Sequence, residues 1–168
     1  MVIMGFSQNI YSSWQGIQEQ KFREIKRVLG PMASDMFHDK IVLDIGCGFG
    51  YLEKSFRAEF IGLDNNKAML SKQATIFPRV LGDGDSLPFG AGSFDTVISI
   101  DTMHLLKTDD YTRVMKTGGF VLLSIFFNDQ NYMEKKESLM KKAEKLEIVN
   151  EFEIHGKEKE YIIVAVKK

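Results

Sequence analysis

A lone cysteine, Cys47, stands with only three prolines and three histidines in 168 residues, and these scarcities exclude several classes of protein. One thiol forms no intrachain disulfide, so the chain is not a crosslinked secreted scaffold, and it suits a reducing compartment. His38, His104 and His155 are scattered without the paired spacing of metal ligands, and no metal site is expected. No apolar run approaches the ~20 residues that cross a bilayer. The opening Met1-Val2-Ile3-Met4-Gly5-Phe6 is too short and uncharged for a signal peptide, so the sequence predicts a cytoplasmic protein with no membrane partner. A formal net charge of -1 supplies no global field toward nucleic acid or anionic lipid, and a local basic patch would vanish in that sum. No Ser-His-Asp arrangement stands out.

What is present reads as one domain over 1–168, with an N-terminal helical cap segment over 1–38 and a core over 39–168; that length buries a core without staples. Ser12 followed by Gln15 fits a capping box, and Phe22, Ile25, Val28 and Leu29 form an apolar stripe, so a helix is expected from Ser12 to Leu29. Gly30-Pro31 ends it, and a short helical piece follows through Ala33 to Phe37. The pattern then changes to short apolar runs bounded by turn residues. Strands are predicted at Ile41–Ile45, Phe60–Asp64, Arg79–Leu81, Asp95–Ile100 and Gly119–Phe126. Helices are predicted at Leu52–Arg57, at Met69–Gln73 capped by Asn65 or Asn66, at Asp109–Met115 and at Asn131–Leu146. The Lys135–Lys145 charge run reads as the solvated face of that last helix. Two final strands, Glu147–Ile154 and Glu160–Val166, joined at His155-Gly156-Lys157, favour an antiparallel hairpin. The fold class is α/β, a three-layer sandwich around a mostly parallel sheet that ends in an antiparallel hairpin.

Val42-Leu43-Asp44-Ile45-Gly46-Cys47-Gly48-Phe49-Gly50 is the most informative stretch. Alternate glycines after a buried strand let the backbone turn sharply and approach a ligand without Cβ interference. In open parallel sheets ligands bind beyond the carboxyl ends of the strands. The Gly46-x-Gly48-x-Gly50 spacing departs from the Gly-x-Gly-x-x-Gly of dinucleotide sites, and Asp44 would repel a pyrophosphate while suiting a cationic amino group or sulfonium. Asp64, eighteen residues past Gly46, ends the second strand where a carboxylate accepts both ribose hydroxyls. Asp83 follows the third strand, placed for an adenine amino group. Three acids at three strand ends describe a ligand with an amino group, a ribose and an adenine but no phosphates.

In these residues the sequence resembles a class I S-adenosylmethionine-dependent methyltransferase of the small type-11-like kind, whose fold is Rossmann-like with a seven-stranded sheet. Val42–Gly50 is similar to the family's first motif and Ile61–Leu70 to its second. Gly82-Asp83-Gly84-Asp85-Ser86-Leu87-Pro88-Phe89 resembles the adenine-side loop, Phe94–Leu106 the fourth-strand motif, and Val114–Leu122 the turn into the fifth strand. The resemblance implies that Asp44 and the backbone of Gly46, Cys47, Gly48 and Gly50 hold the methionine part. It implies that Asp64 with Asn65 binds ribose, that Asp83 with the Gly84 backbone binds adenine, and that the backbone near Ile100 and Asp101 faces the amino group. Tyr11 and Trp14 fall in the segment that covers the site in such enzymes and are expected as lid residues. His104 and Asp101 are the catalytic candidates, beside the competing reading of His104 as a packing or capping residue.

Two stretches are shorter than the family pattern: nine residues separate Gly50 from Phe60, and the Leu106–Gly118 connection is brief. The Asn/Asp-Pro-Pro-aromatic signature of aminomethylating enzymes is replaced by Asp101-Thr102-Met103-His104, which argues against methylation of bases or glutamine amides. The expected function is methyl transfer from S-adenosylmethionine, leaving S-adenosylhomocysteine, to a small molecule. RNA or protein acceptors reached with a partner subunit, a non-catalytic cofactor-binding subunit, and a nicotinamide-dependent oxidoreductase stay open as alternatives.

Overall fold

The computed structural model describes residues 15–71 and 77–168. Seven strands form one sheet in the order β3-β2-β1-β4-β5-β7-β6. β1 (Ile41–Ile45) pairs in parallel with β2 (Glu59–Asp64) on one side and β4 (Phe94–Ile100) on the other. β3 (Arg79–Leu81) extends the sheet beyond β2, and β5 (Met115–Phe127) lies parallel to β4. β7 (Lys159–Val166) inserts antiparallel between β5 and β6 (Glu147–His155), so the terminal hairpin supplies the mixed edge expected from its short turn.

Side-chain alternation along the strands builds two cores. Val42, Ile98, Leu122, Ile162 and Val164 face α1 (Gln15–Leu29) and α2 (Met32–Phe37), which contribute Phe22, Ile25, Leu29, Met36 and Phe37. Leu43, Ile45, Val97, Val121, Leu123 and Ile163 point the other way, onto Met103, Tyr111, Val114, Leu139 and Ala143. Helices therefore cover both faces, and the three-layer reading holds.

The elements depart from expectation where the chain is short. The stretch after Gly50 forms only one 3-10 turn, Glu53–Ser55, in place of a helix. A second 3-10 turn, Met103–Leu105, follows β4. α3, described over Lys67–Ser71, starts two residues before the expected Met69 and is capped by Asn66 through a bond from Ala68 N; α4 (Tyr111–Val114) is trimmed to four residues. α5 (Tyr132–Lys142) ends before Leu146. β5 begins at Met115 rather than Gly119. Its pairing with β4 shifts register between Phe94 and Thr96, and Gly118 lies at φ +77. A Cβ at Gly119 would stand 2.8 Å from the Lys116 carbonyl, so the glycine pair that reads as a strand start is a kink inside a longer strand.

Candidate active site

The carboxyl ends of β1, β2, β3 and β4 gather the predicted residues along one rim. Gly46, Gly48 and Gly50 take φ of 83, 53 and 73, which L side chains rarely adopt. The loop is fastened from below: Gly46 N and Cys47 N both donate to the Leu63 carbonyl. Asp64 fastens it from the side, one carboxylate oxygen accepting from Gly48 N at 2.9 Å and the other from Asn66 N at 2.8 Å. Each oxygen keeps a second lone pair for a hydroxyl. Asn65 is exposed beside it.

The glycines make room for the neighbouring loops. A Cβ at Gly46 would lie 2.2 Å from Thr102 Oγ1, and one at Gly84 would lie 2.9 Å from the Leu106 methyls. Cys47 turns its thiol inward, where a Cβ at Gly62 would meet its sulfur at 2.7 Å. Burial, with Asp44 and Glu53 nearby, pushes that thiol well up, so it stays protonated and packs. The Ile100 carbonyl accepts a bond from Thr102 Oγ1 at 3.1 Å. Asp83 is exposed and accepts from Asp85 N, while Asp85 accepts from Lys107 N and Thr108 N and ties the adenine-side loop to the segment after β4. Tyr11 and Trp14 lie outside the described residues.

Two buried charge clusters flank the rim, and sequence reasoning singled out only Asp44 and Asp101 among their members. Asp44 is 4% exposed and Glu53, from the 3-10 turn, is 7% exposed. Burial, followed by the facing Glu53 and by Asp64, raises Asp44 well above the ordinary carboxylate range. Burial pushes Glu53 up to about 7, with Arg79 and Lys54 pulling partly back.

The second cluster centres on Lys21, whose side chain is 3% exposed in α1. Its ammonium meets Asp101 at 2.8 Å, Glu158 at 2.9 Å and Glu160. Burial works against that charge, but Asp101, Glu160 and Glu158 outweigh it and raise the lysine's pKa. Burial likewise opposes ionisation of Asp101, but Lys21 together with hydrogen bonds from Glu160 and from Phe126 N outweighs it, so Asp101 is held below its usual range. Asp101 sits in the left-handed region at φ 54 and accepts from Phe126 N at 2.7 Å. Burial with the neighbouring Asp101 pushes Glu160 up to about 8. A cavity of about 380 Å³ between α1 and the β6–β7 turn borders this cluster at Lys21 and Glu158. His104 is half-buried on the second 3-10 turn; its Nδ1 is buried without a hydrogen-bond partner, and burial with Lys135 lowers its pKa. Asp101 and His104 interact only through space, with no hydrogen-bonded dyad between them in the described residues.

The residues at the rim suit an adenosyl cofactor. The side chains there are acidic, and the unpartnered oxygens of buried Glu53 beside Asp44 favour a cation over a phosphate. Sheet order, glycine loop and strand-end acids together define a Rossmann-like methyltransferase domain. The family model described as a methyltransferase domain matches residues 43–123, just under half of the chain, and over that stretch the chain belongs to the class I S-adenosylmethionine-dependent methyltransferase family.

Among curated proteins, a tRNA (carboxymethyluridine(34)-5-O)-methyltransferase of Xenopus tropicalis is 29% identical over 126 residues, 68% of this chain and 20% of its own. A fatty-acid O-methyltransferase of Mycolicibacterium smegmatis is 35% identical over 98 residues, 49% of this chain and 36% of its own. This chain thus spans about 20% and 36% of the lengths of these relatives. A solved SAM-dependent methyltransferase from Thermotoga maritima superposes with a TM-score of 0.70 at 17% identity, over 95% of each chain, which shows the fold. No helix among the described residues is long and apolar enough to cross a membrane.

Proposed function

We propose that this chain binds S-adenosylmethionine across the ends of β1, β2 and β3 and passes its methyl group to a small acceptor by direct displacement. The observation that carries the reading is the row of acids, Asp44, Asp64 and Asp83, at or just past the ends of three adjacent strands. Asp44, beside the glycine loop, would repel a pyrophosphate there. Asp44 and the backbone of Gly46, Cys47, Gly48 and Gly50 take the methionine part, and the Ile100 and Asp101 backbone faces its amino group. Asp64 and Asn65 take the ribose, and Asp83 with the Gly84 backbone takes the adenine. When bound, the cofactor supplies an already activated methyl and its own leaving group.

The protein's remaining work is to align the acceptor and keep water out. His104, kept neutral by its lowered pKa, is the group for an acceptor proton at its unpartnered Nδ1. Asp101, ionised and clasped by Lys21, is a weak base and serves to position the loop that carries His104. The cavity beside Lys21, between α1 and the β6–β7 turn, adjoins Asp101 through that lysine and is the acceptor's place in this reading. The near-neutral net charge supports a small molecule over RNA. Both named relatives act on oxygen by their names, so oxygen acceptors head the panel to be tried.

Calorimetry with S-adenosylmethionine, S-adenosylhomocysteine and NAD, on the wild type and on Asp64→Ala, tests this. Micromolar binding of the two adenosyl ligands, weakened at least about tenfold by the substitution, is expected; tenfold corresponds to ~1.4 kcal/mol. Preference for NAD, or no binding of either adenosyl ligand, overturns it. Tight cofactor binding with no turnover on any small acceptor points instead to an RNA or protein acceptor, or to a non-catalytic subunit.

A further inference from the structure

Two buried acids lie side by side beneath the glycine loop with no described cation between them. Beyond its own backbone N–H, neither oxygen of Glu53 meets a hydrogen-bond donor, although the residue is more than nine-tenths buried. Glu53 Oε2 reaches up to the loop itself: a Cβ at Gly50 would stand 3.3 Å from it. Its neighbour Asp44 comes from β1, on the strand that runs into that loop. Carboxylates are acceptors only, so the pair is satisfied internally only when one of them carries a proton. Two facing carboxylates in a low-dielectric site do not both ionise without a cation, and the proton they hold belongs to the pair.

The charged and titratable groups described around the pair do not fill that role. Asp64 of β2 adds negative charge, and Cys47 stays protonated. Arg79 of β3 gives hydrogen bonds to the Gly48 and Leu70 carbonyls, and Lys54 lies next to Glu53 in the chain. Lys26 of α1, which packs over the same turn, donates to the Ser55 carbonyl. Packing alone would be better served by an amide or an apolar side chain, since a buried acid pair costs stability.

Resting on the methyltransferase reading above, we propose that Glu53 is a second acid for the cofactor's amino group, and that Asp44 and Glu53 exchange a shared proton for that ammonium when the cofactor binds. The exchange balances simply. One O–H bond of the acid pair breaks, its proton goes to solvent, and the two carboxylates close around the incoming –NH3⁺; no bond to carbon changes. The proton and the ammonium compete for one place, so binding weakens as pH falls below the range in which the free pair gives up its proton. That range is near pH 7 for Glu53. Above about pH 8 the ligand's own amino group begins to deprotonate, which bounds the window from the other side.

The test is proton release, measured by calorimetry of S-adenosylhomocysteine at pH 6.5 in buffers of differing ionisation enthalpy. Wild type is expected to release roughly three quarters of a proton per ligand, with affinity falling by up to about tenfold per pH unit below 7. Glu53→Gln, which keeps the shape and removes the charge, is expected to bind with close to no release and a flat pH profile. On wild-type protein, 5′-methylthioadenosine, which lacks the amino acid end, is expected to bind without release. Binding of S-adenosylhomocysteine by wild type without proton release overturns this proposal alone. So does equal release from Glu53→Gln, or from the amino-less ligand. Failure of both adenosyl ligands to bind wild type overturns the methyltransferase reading and this one with it.

Discussion

Lys21 occupies a position that the helical period reserves for a hydrophobe. The buried positions of α1 are 18, 21, 22, 25 and 29, the stripe that faces the sheet, and a lysine there needs partners. They arrive from far along the chain: Asp101 is 80 residues away, and Glu158 and Glu160 lie on the turn and strand that close the hairpin. Nothing local in the sequence announces such a meeting, which is why only Asp101 of the four was legible as a candidate. Asp44, Asp64 and Asp83 were legible because their chemistry follows from strand ends and glycines next to them in the chain. Glu53 escaped because the stretch after Gly50 reads as an ordinary helix. Lys21→Met would leave three clustered carboxylates without their cation. Its expected cost is about 3–5 kcal/mol at pH 8, read from denaturant unfolding. The penalty should shrink as pH is lowered and the carboxylates take up protons. Lys21 fixes the sign: its charge lowers the pKa of Asp101 and of Glu160, so without it both hold their protons to higher pH, and the loss is full at pH 8 and fades as pH falls and they protonate. A penalty that grows on acidification would contradict the assignment.

At the scale of elements, the strands were read almost to the residue, since uninterrupted apolar runs between turns leave little freedom. Helices after short connections were not. Nine residues between Gly50 and Phe60 accommodate one 3-10 turn, and the periodic pattern of Leu52 to Arg57 yields to that limit. The Gly118-Gly119 pair hid the first four residues of β5, because glycines that mark a turn in sequence also permit a kinked strand. The loops after β1 and β4 meet at Gly46 and Thr102, and this contact is the element-level device that holds the rim together. Gly46→Ala would place a methyl 2.2 Å from Thr102 Oγ1 on a residue already at φ 83. We expect a loss of about 1–3 kcal/mol and weakened S-adenosylhomocysteine binding. Adding Thr102→Gly should recover the steric part only, since the backbone strain remains. Full recovery in the double variant, measured by thermal unfolding, would show that φ contributes nothing.

For the molecule as a whole, the sheet is continuous only through β7. This strand carries six consecutive buried residues, Glu160 to Ala165, and pairs on both edges, with β5 and with β6. It also brings Glu160 to the Lys21 cluster, so one strand joins the parallel part of the sheet to α1 and to β6. β6 itself touches the rest of the sheet only by way of β7. A chain stopped at Glu158 is therefore expected to lose more than one strand: β6 has no partner, and Ile154 loses the sheet neighbours it packs among. Circular dichroism and denaturant titration of that truncation should show no cooperative unfolding; a transition like that of the whole chain would refute the central role of β7.

The same arrangement has a temporal side. A ribosome makes β6 before β7, yet β6 reaches the sheet only through β7, so it can join only once its hairpin partner has been made. In the interval β6 has no strand to pair with, and Phe152 and Ile154 lack the neighbours that cover them in the folded sheet. The glutamates at 147, 151 and 153 guard it against other strands during that interval.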